Sequence, residues 1–436
     1  MTPAARLAGA IELLAAIDEA PRKPADAVAN DFFRNRRFIG SGDRRAVSER
    51  VWQVLRARRR LTWWLRRADT SPSPRLLVAA SLLLDGWTED GVAQSFSGGE
   101  FAPARLNAAE ASALQGLAGH TLDHPQMGEA VRLEIPDWLL PLLRNRFGAA
   151  LADEMEAMLN PAPLDLRVNL LKATRDDARA ALTAEGLETV PTLLSPWGLR
   201  IGARRPVTGG TAFQGGLVEI QDEGSQLIAA IVDARPGMRV ADWCAGAGGK
   251  TLALAMTMEN RGQLLACDVS SHRLDGAVRR LRRAGVHNVE RHLTTAGDKW
   301  VKRRAGSFDR VLVDAPCTGI GTWRRNPDAR RRLTEADLAE LLPKQAAILD
   351  EAAKLVRRSG RLVYATCSLL PEENEAQVHG FLDRNPAFRL RPLTESATLP
   401  PSLPDATALG GGTFLQLTPR LHNTDGFFAA VVERAA

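Results

Sequence analysis

Across roughly the first 145 residues, apolar side chains recur at helical spacing among many Ala, Leu and Arg, and strand-like alternation is scarce. The stretch therefore predicts a bundle of helices. Ala46 to Leu65, entered through Gly42-Asp-Arg-Arg45, reads as one long helix with Val47, Val51, Val54, Leu55 and Leu61 inward and Arg44, Arg45, Arg56, Arg59 and Arg60 outward or toward its flanks. Trp52, Trp63 and Trp64 read as packing residues. Thr70-Ser-Pro-Ser-Pro74 breaks the pattern, and a second helical stretch runs to about Gly119. Trp138 to Asn160 reads as a helix that ends before Pro161 and Pro163. A different rhythm follows: a strand from Leu164 to Leu170, a helix capped by Thr174 and running to Ala184 with Gly186 just beyond it, and short strands at Leu187 to Thr192 and Gly198 to Ile201. Arg205 to Gly216, rich in glycine, reads as a linker.

From Leu217 onward helices and strands alternate. Strands are expected at Arg239 to Asp242, Gln263 to Cys267, Val289 to Leu293, Arg310 to Val313 and Arg361 to Tyr364, with an antiparallel pair from Phe414 to Leu417 and Phe427 to Val432. Such alternation predicts an α/β fold with a doubly wound parallel sheet. At 436 residues the chain exceeds what one core organises. The expected division is an all-helical domain over residues 1–140, a small α/β module over 141–215 that presents a sheet to RNA, and the sheet domain over 216–436.

Between the first two strands of that sheet lies Asp242-Trp-Cys-Ala-Gly-Ala-Gly-Gly-Lys-Thr251. Glycines at 246, 248 and 249 let backbone N–H groups approach a ligand at the start of a helix, which is how a nucleotide-type cofactor is held at a sheet edge. Asp268 ends the next strand 22 residues after Gly246, about the ~20 expected of a carboxylate that holds ribose hydroxyls. A phosphate loop is the rival, since Gly249-Lys-Thr251 matches the end of that motif, but Cys244 stands where its first glycine belongs.

Charge and cysteines narrow the partners. The chain carries a net charge of +6, and residues 1–70 alone hold fifteen Lys or Arg against eight Asp or Glu. A basic helical module predicts a nucleic-acid partner, with Arg44 and Arg45 as candidate contacts. Arg324 and Arg325, soon after Cys317, are candidate phosphate clamps. The four cysteines form no C-x-x-C pair, and His120 and His124 lack a third ligand, so neither a disulfide framework nor a metal site is expected. No apolar run approaches the ~18 residues of a membrane span, and the N-terminus lacks a secretion core. The expectation is a cytoplasmic monomer without a membrane partner.

Cys317 and Cys367 each lie just past a strand whose carboxyl end should face the cofactor crevice. Two thiols suit one chemistry. A thiolate adding to carbon 6 of cytosine turns carbon 5 into a nucleophile for an activated methyl group, and release of the adduct benefits from a second group. Asp314, three residues before Cys317, is the candidate acid near ring nitrogen 3. Strand-end position alone does not order the two cysteines.

Asp314-Ala-Pro-Cys-Thr-Gly-Ile-Gly321, Tyr364-Ala-Thr-Cys-Ser368 with Pro371-Glu-Glu-Asn374, Arg167-Val-Asn-Leu-Leu-Lys172 and Gln221-Asp-Glu-Gly-Ser225 together resemble the Sun-type RNA cytosine-5 methyltransferases. The resemblance covers about residue 140 to the end. The basic N-terminus is similar to the NusB-like RNA-binding domain of bacterial members acting on small-subunit ribosomal RNA. The resemblance implies a Rossmann-like class I methyltransferase sheet, with Cys367 attacking and Cys317 assisting release. It also implies S-adenosylmethionine along Cys244, Ala245, Gly246, Ala247, Gly248, Gly249 and Lys250, with Asp268 on the ribose, Asp298 near the adenine and Asp314 at the methyl-transfer end. Members of the family commonly have Ala-Pro where this chain has Gly246-Ala247, a change expected to loosen the free loop. A P-loop-like NTPase acting on RNA and a non-catalytic RNA-binding assembly factor are the alternatives; neither accounts for the paired thiols.

Overall fold

The computed structural model describes residues 1–202, 205–295, 298–395, 403, 408–410 and 412–436. The chain divides into two compact units, Met1–Asn160 with Trp323–Glu335, and Pro161–Thr322 with Ala336–Ala436.

The first unit is helical. Its leading helices are α1 (Pro3–Glu19), α2 (Ala25–Asn35), α3 (Ser41–Arg56), α4 (Arg58–Arg67) and α5 (Pro74–Leu84). The Leu-Leu-Val-Ala-Ala-Ser-Leu-Leu run of α5 is buried all round, as befits a central helix, and packs with Leu13, Leu14, Ile17, Val51, Val54, Leu61 and Leu65. The long helix expected from Ala46 to Leu65 is two helices. The break falls at Ala57, because the carboxylate of Glu134 accepts the free N–H groups of Arg59 (2.9 Å) and Arg60 (3.0 Å) and so caps α4 from outside. Burial holds the Glu134 carboxyl above its usual range despite the opposing pull of Arg60. Trp138 to Asn160 is likewise interrupted at Gly148, whose φ of +53° ends the helix Leu140–Phe147.

Residues 323–335, which the sequence pattern assigns to the sheet domain, are built into this helical unit. Trp323 is fully buried there. Asp328 accepts the N–H of Ala25 (3.1 Å) at the start of α2, where Pro24 supplies no side-chain cap. Arg330 donates to Met158 O (2.9 Å), and Arg331 to Ile17 O (3.3 Å).

The second unit holds two sheets. The smaller comprises β1 (Leu164–Val168), β2 (Thr189–Pro191), β3 (Gly198–Ile201) and β4 (Val218–Ile220), ordered β2-β3-β1-β4 and antiparallel throughout. Thr174 and Asp177 form a reciprocal capping box on the helix Arg175–Ala184 beside it. Two expected boundaries shift: the helical unit continues past residue 140 to Asn160, and a cut at 215 would sever β4 from its own sheet.

The larger sheet comprises β5 (Arg239–Asp242), β6 (Gln263–Asp268), β7 (Val289–Leu293), β8 (Phe308–Asp314), β9 (Val356–Thr366), β10 (Phe388–Arg391), β11 (Leu415–Leu417) and β12 (Phe427–Arg434). Its order is β10-β12-β9-β8-β5-β6-β7, with β11 also on β12. Strands β5 to β9 run parallel, and β12 runs antiparallel to β9, β10 and β11. Both faces are covered: Leu264, Leu312 and Val363 enter one core, while Leu265, Val311 and Tyr364 enter the other. Strand order reverses between β5 and β8, which places the ligand crevice at their carboxyl ends. Among the described residues no helix is long and apolar enough to cross a membrane.

Candidate active site

The turn after β5 begins at Asp242, whose buried carboxyl accepts the hydroxyl of Thr251 (2.7 Å). Burial, relieved only in part by that bond, pushes its pKa up to about 7. Cys244 is also pushed up, first by burial and then by the negative charge of Asp314, so it stays a thiol. Gly246 and Gly248 have φ of +54° and +80°, and a Cβ on Gly248 would lie 3.0 Å from that of Ala277. Glycine is thus required at 248 by both conformation and contact. At 246 it meets a left-handed backbone, so this departure from the family pattern has a conformational use, and Arg280 ties down the adjoining loop through the carbonyl of Ala247 (2.7 Å). Ala245 is buried, and Gly249 opens the helix Gly249–Thr257.

Asp268, at the end of β6, accepts the N–H of Gly246 (2.9 Å) with one oxygen and that of Ser270 (2.8 Å) with the other. Each oxygen keeps a further lone pair for a ligand hydroxyl. Asp298 caps the short helix Lys299–Arg303 and bonds His292 Nε2 (2.6 Å), whose ring stacks on Trp300 at 4.2 Å. That bond to His292 holds the Asp298 carboxyl below its usual range.

Two sequence motifs prove to brace this crevice. Arg167 on β1 donates to Gln221 and to Gly249 O (2.8 Å), joining the small sheet to the first turn of the cofactor helix. Asn169 and Lys172 donate to the carbonyls of Ala284 (2.8 Å) and Arg283 (2.7 Å), closing the C-terminal end of the helix Ser271–Ala284.

At the ends of β8 and β9, adjacent strands in parallel register, the thiols meet: Cys317 Sγ and Cys367 Sγ are 3.4 Å apart, and both are half-buried. Their hydrogen bond, together with burial, pushes Cys317 well above the ordinary thiol range. Cys317 is therefore held toward its protonated form, and either sulfur can donate across the pair. Lys250 donates to Asp314 (2.6 Å). Its burial disfavours the ammonium, but the negative charge of Asp314, that bond and the proximity of Cys367 prevail and raise its pKa. Lys250 and Thr251 are thus committed to Asp314 and Asp242, unlike the phosphate-facing Lys and Thr of a P-loop.

Pro371-Glu-Glu-Asn374, which carries no role that its sequence alone reveals, closes the site at the two cysteine loops through Glu373 and Asn374. Glu373 is completely buried and accepts from Thr318 N (2.8 Å), Thr318 Oγ1, Gln345 Nε2 (2.9 Å) and Ser368 Oγ. Asn374 donates to Ser368 O (3.1 Å). One carboxylate thus holds the residue after each cysteine. Gly321 N donates to Cys367 O (2.9 Å), and a Cβ at 321 would lie 2.2 Å from Gly426 O, so only glycine allows this approach.

The arginine candidates fare differently. Arg44 is half-buried, donates to Ile39 O (2.8 Å) and lines a hollow of about 540 Å³ with Arg34 and Arg37, while Arg45 is exposed. Arg324 is only 3% exposed, inside the helical unit, so its guanidinium serves that interior and the expectation of a phosphate clamp there is corrected. Arg325 is half-buried.

A reversing parallel sheet, an open glycine turn and an acidic strand end fit the adenosyl moiety of a methyl donor, and Asp242 Oδ1 is buried with no partner among the described residues. These features define an S-adenosylmethionine-dependent methyltransferase with a Rossmann-like fold. Residues 229–433 match the family described as 16S rRNA methyltransferase RsmB/F, and residues 135–208 match the ferredoxin-like domain of RsmF/B-like methyltransferases. The probable ribosomal RNA small subunit methyltransferase B of Synechocystis sp. is 36% identical over 319 residues, covering 72% of this chain and 70% of that one. The Bacillus subtilis protein described in the same words is 33% identical over 311 residues, covering 70% and 68%. Among solved structures, that of PH0851 aligns over 100% of this chain and 99% of its own with a TM-score of 0.79 and 26% identity. A methyltransferase homolog protein from Pyrococcus horikoshii aligns over 70% and 97% with a TM-score of 0.60 and 30% identity. The chain belongs to the RsmB/F family of ribosomal RNA small subunit methyltransferases.

Proposed function

We propose that the protein methylates carbon 5 of a cytosine in small-subunit ribosomal RNA through a transient thioether between Cys367 and carbon 6 of the base. The observation that carries this reading is the pair of thiols 3.4 Å apart beside the Lys250–Asp314 ion pair. S-adenosylmethionine, when bound, supplies an electrophilic methyl group on sulfur. The residues proposed to hold it run from Cys244 to Lys250, with Asp268 on the ribose, Asp298 toward the adenine and Asp314 at the transfer end.

Cys367, as thiolate, forms the bond to carbon 6, and the ring electrons move toward nitrogen 3. A proton from the Lys250 ammonium reaches nitrogen 3 through Asp314 and leaves carbon 5 an enamine carbon able to accept the methyl group. After transfer, solvent water takes the carbon 5 proton, its electron pair re-forms the 5,6 double bond as the carbon–sulfur bond breaks, Cys367 leaves as thiolate, and the proton on nitrogen 3 returns through Asp314. The Cys317 thiol, kept protonated by its setting, donates a hydrogen bond to the departing sulfur. Attack thus falls to Cys367 and release to Cys317.

The test is methyl transfer from labelled S-adenosylmethionine to small-subunit ribosomal RNA, followed by digestion to nucleosides. Label in 5-methylcytidine is expected. Label confined to an N-methylated base or a 2′-O-methylated ribose would contradict the proposal.

A further inference from the structure

The loops that carry Cys317 and Cys367 hold the two thiols together whether or not a substrate is present. Ala315 N donates to Ala365 O (2.9 Å) and Gly321 N donates to Cys367 O (2.9 Å), so the Cys317 loop is tied at both ends to the chain that delivers Cys367. Thr318 and Ser368, the residues that follow the two cysteines, have hydroxyls 3.2 Å apart, and both hydroxyls donate to the buried carboxylate of Glu373. The pairing of the thiols is therefore a property of the fold.

From 3.4 Å the sulfurs have only to close to about 2.05 Å to be bonded to each other. Access separates this pair from the core thiol Cys267. Cys267 is fully buried within β6, whereas Cys317 and Cys367 are half-buried at the strand ends that open on the crevice, where a small oxidant can enter. The ammonium of Lys250 lies close enough to Cys367 for their charges to interact. A partly exposed thiol beside a cation is the setting in which cysteines react with peroxides.

We propose that Cys317 and Cys367 are an oxidative modification site, which a peroxide closes to a reversible disulfide that switches the methyltransferase off. The Cys367 thiolate attacks one oxygen of hydrogen peroxide, a sulfur–oxygen bond forms as the oxygen–oxygen bond breaks, and the departing hydroxide takes up the proton that Cys367 had released. The sulfur of Cys317 then attacks the sulfenic sulfur of Cys367. The sulfur–sulfur bond forms, the sulfur–oxygen bond breaks, and the hydroxyl leaves with the Cys317 proton as a second water. Two thiols have lost two electrons and one peroxide has become two waters. A dithiol reductant reverses the step by exchange. The loss of activity rests on Cys367 being the attacking group, whereas the bond rests on the geometry of the pair.

The experiment treats the full-length protein, without RNA, with hydrogen peroxide, removes the peroxide and blocks the remaining thiols with N-ethylmaleimide. Intact mass and proteolytic peptides are then read by mass spectrometry. Methyl transfer to small-subunit ribosomal RNA is measured on unblocked samples before and after dithiothreitol. Before blocking, the treated protein should have lost two hydrogens, and digestion should give one linked pair of peptides joining Cys317 to Cys367. Methyl transfer should fall about tenfold or more and return with dithiothreitol. In Cys317→Ala the sulfenic acid has no resolving thiol, so Cys367 should pass on to the sulfinic acid, which dithiothreitol does not reduce. Recovery of Cys317 and Cys367 from treated wild type as free thiols, or each oxidised separately, would overturn the proposal, as would a bond from either to Cys244. A Cys317–Cys367 bond with undiminished methyl transfer would contradict attack by Cys367 instead, so the two readings fail separately.

Discussion

Asp242 ends its strand with a carboxyl that the fold keeps out of water and gives one hydroxyl partner. Its pKa rises from the usual value near 3.8 to about 7, so in that interval the folded protein holds a proton that the unfolded chain has released. The contribution is complete below pH 4 and is lost as pH rises to about 7, on the order of a few kcal/mol. Asp242→Asn keeps an acceptor for Thr251 and removes the titration. Urea midpoints at pH 5 and pH 8 should show the variant gaining on the wild type as pH rises. An equal difference at both values would mean that Asp242 does not titrate with folding. Lys250 belongs to the same cluster but is held charged by its neighbours, so its pairing with Asp314 should persist across this range.

Elements deliver these residues to one another. Strands β8 and β9 are adjacent and parallel, with Asp314 beside Ala365, so the loops leaving them must pass close together. Glu373 then sets their separation. In Glu373→Gln, an amide NH₂ faces donors already aimed at a carboxylate oxygen, leaving buried donors unmet at about 1–3 kcal/mol each. The variant should lose at least about tenfold in kcat, because small misplacements of reacting groups are costly, while holding S-adenosylmethionine as before. Full kcat would show that the cysteine loops hold their spacing without this clamp.

The same elements separate what the sequence revealed from what it concealed. Runs such as Gln263 to Cys267 and Arg310 to Val313 carried their identity locally, as apolar segments ending in an acidic residue, and the strand ends they located contain the crevice. The break at Ala57 was not legible, because the carboxylate that caps α4 is supplied by Glu134, more than 70 residues away. β10 carries too few apolar residues for its own pattern to signal a strand, and it is defined by pairing with β12. The cysteine pair was legible as two strand ends, whereas the Glu373 clamp depends on four donors scattered from Thr318 to Ser368.

At the scale of the whole molecule, the chain leaves the sheet unit at Thr322, completes the helical unit with residues 323–335, and returns at Ala336. A protein cut before residue 136 would therefore strand Trp323, Asp328 and Arg330 without the helices that bury them, so surface charge reversals probe RNA affinity more cleanly than truncation does. Arg324 illustrates the same point: in sequence it trails the Cys317 loop, but in the structure it belongs to the interior of the helical unit.

Attack by Cys367 and release by Cys317 leave different traces when each thiol is removed. Full-length wild type, Cys367→Ala, Cys317→Ala and the double variant are each incubated with substrate RNA and S-adenosylmethionine, then separated under denaturing conditions. Without Cys367 no bond to carbon 6 can form; without Cys317 the bond forms but its breakage slows, and protein remains attached to RNA. A denaturant-resistant protein–RNA band is expected with Cys317→Ala and absent from Cys367→Ala and from the double variant. A trapped band with Cys367→Ala would exchange the two roles, and normal methylation by both single variants would contradict covalent catalysis by these cysteines altogether.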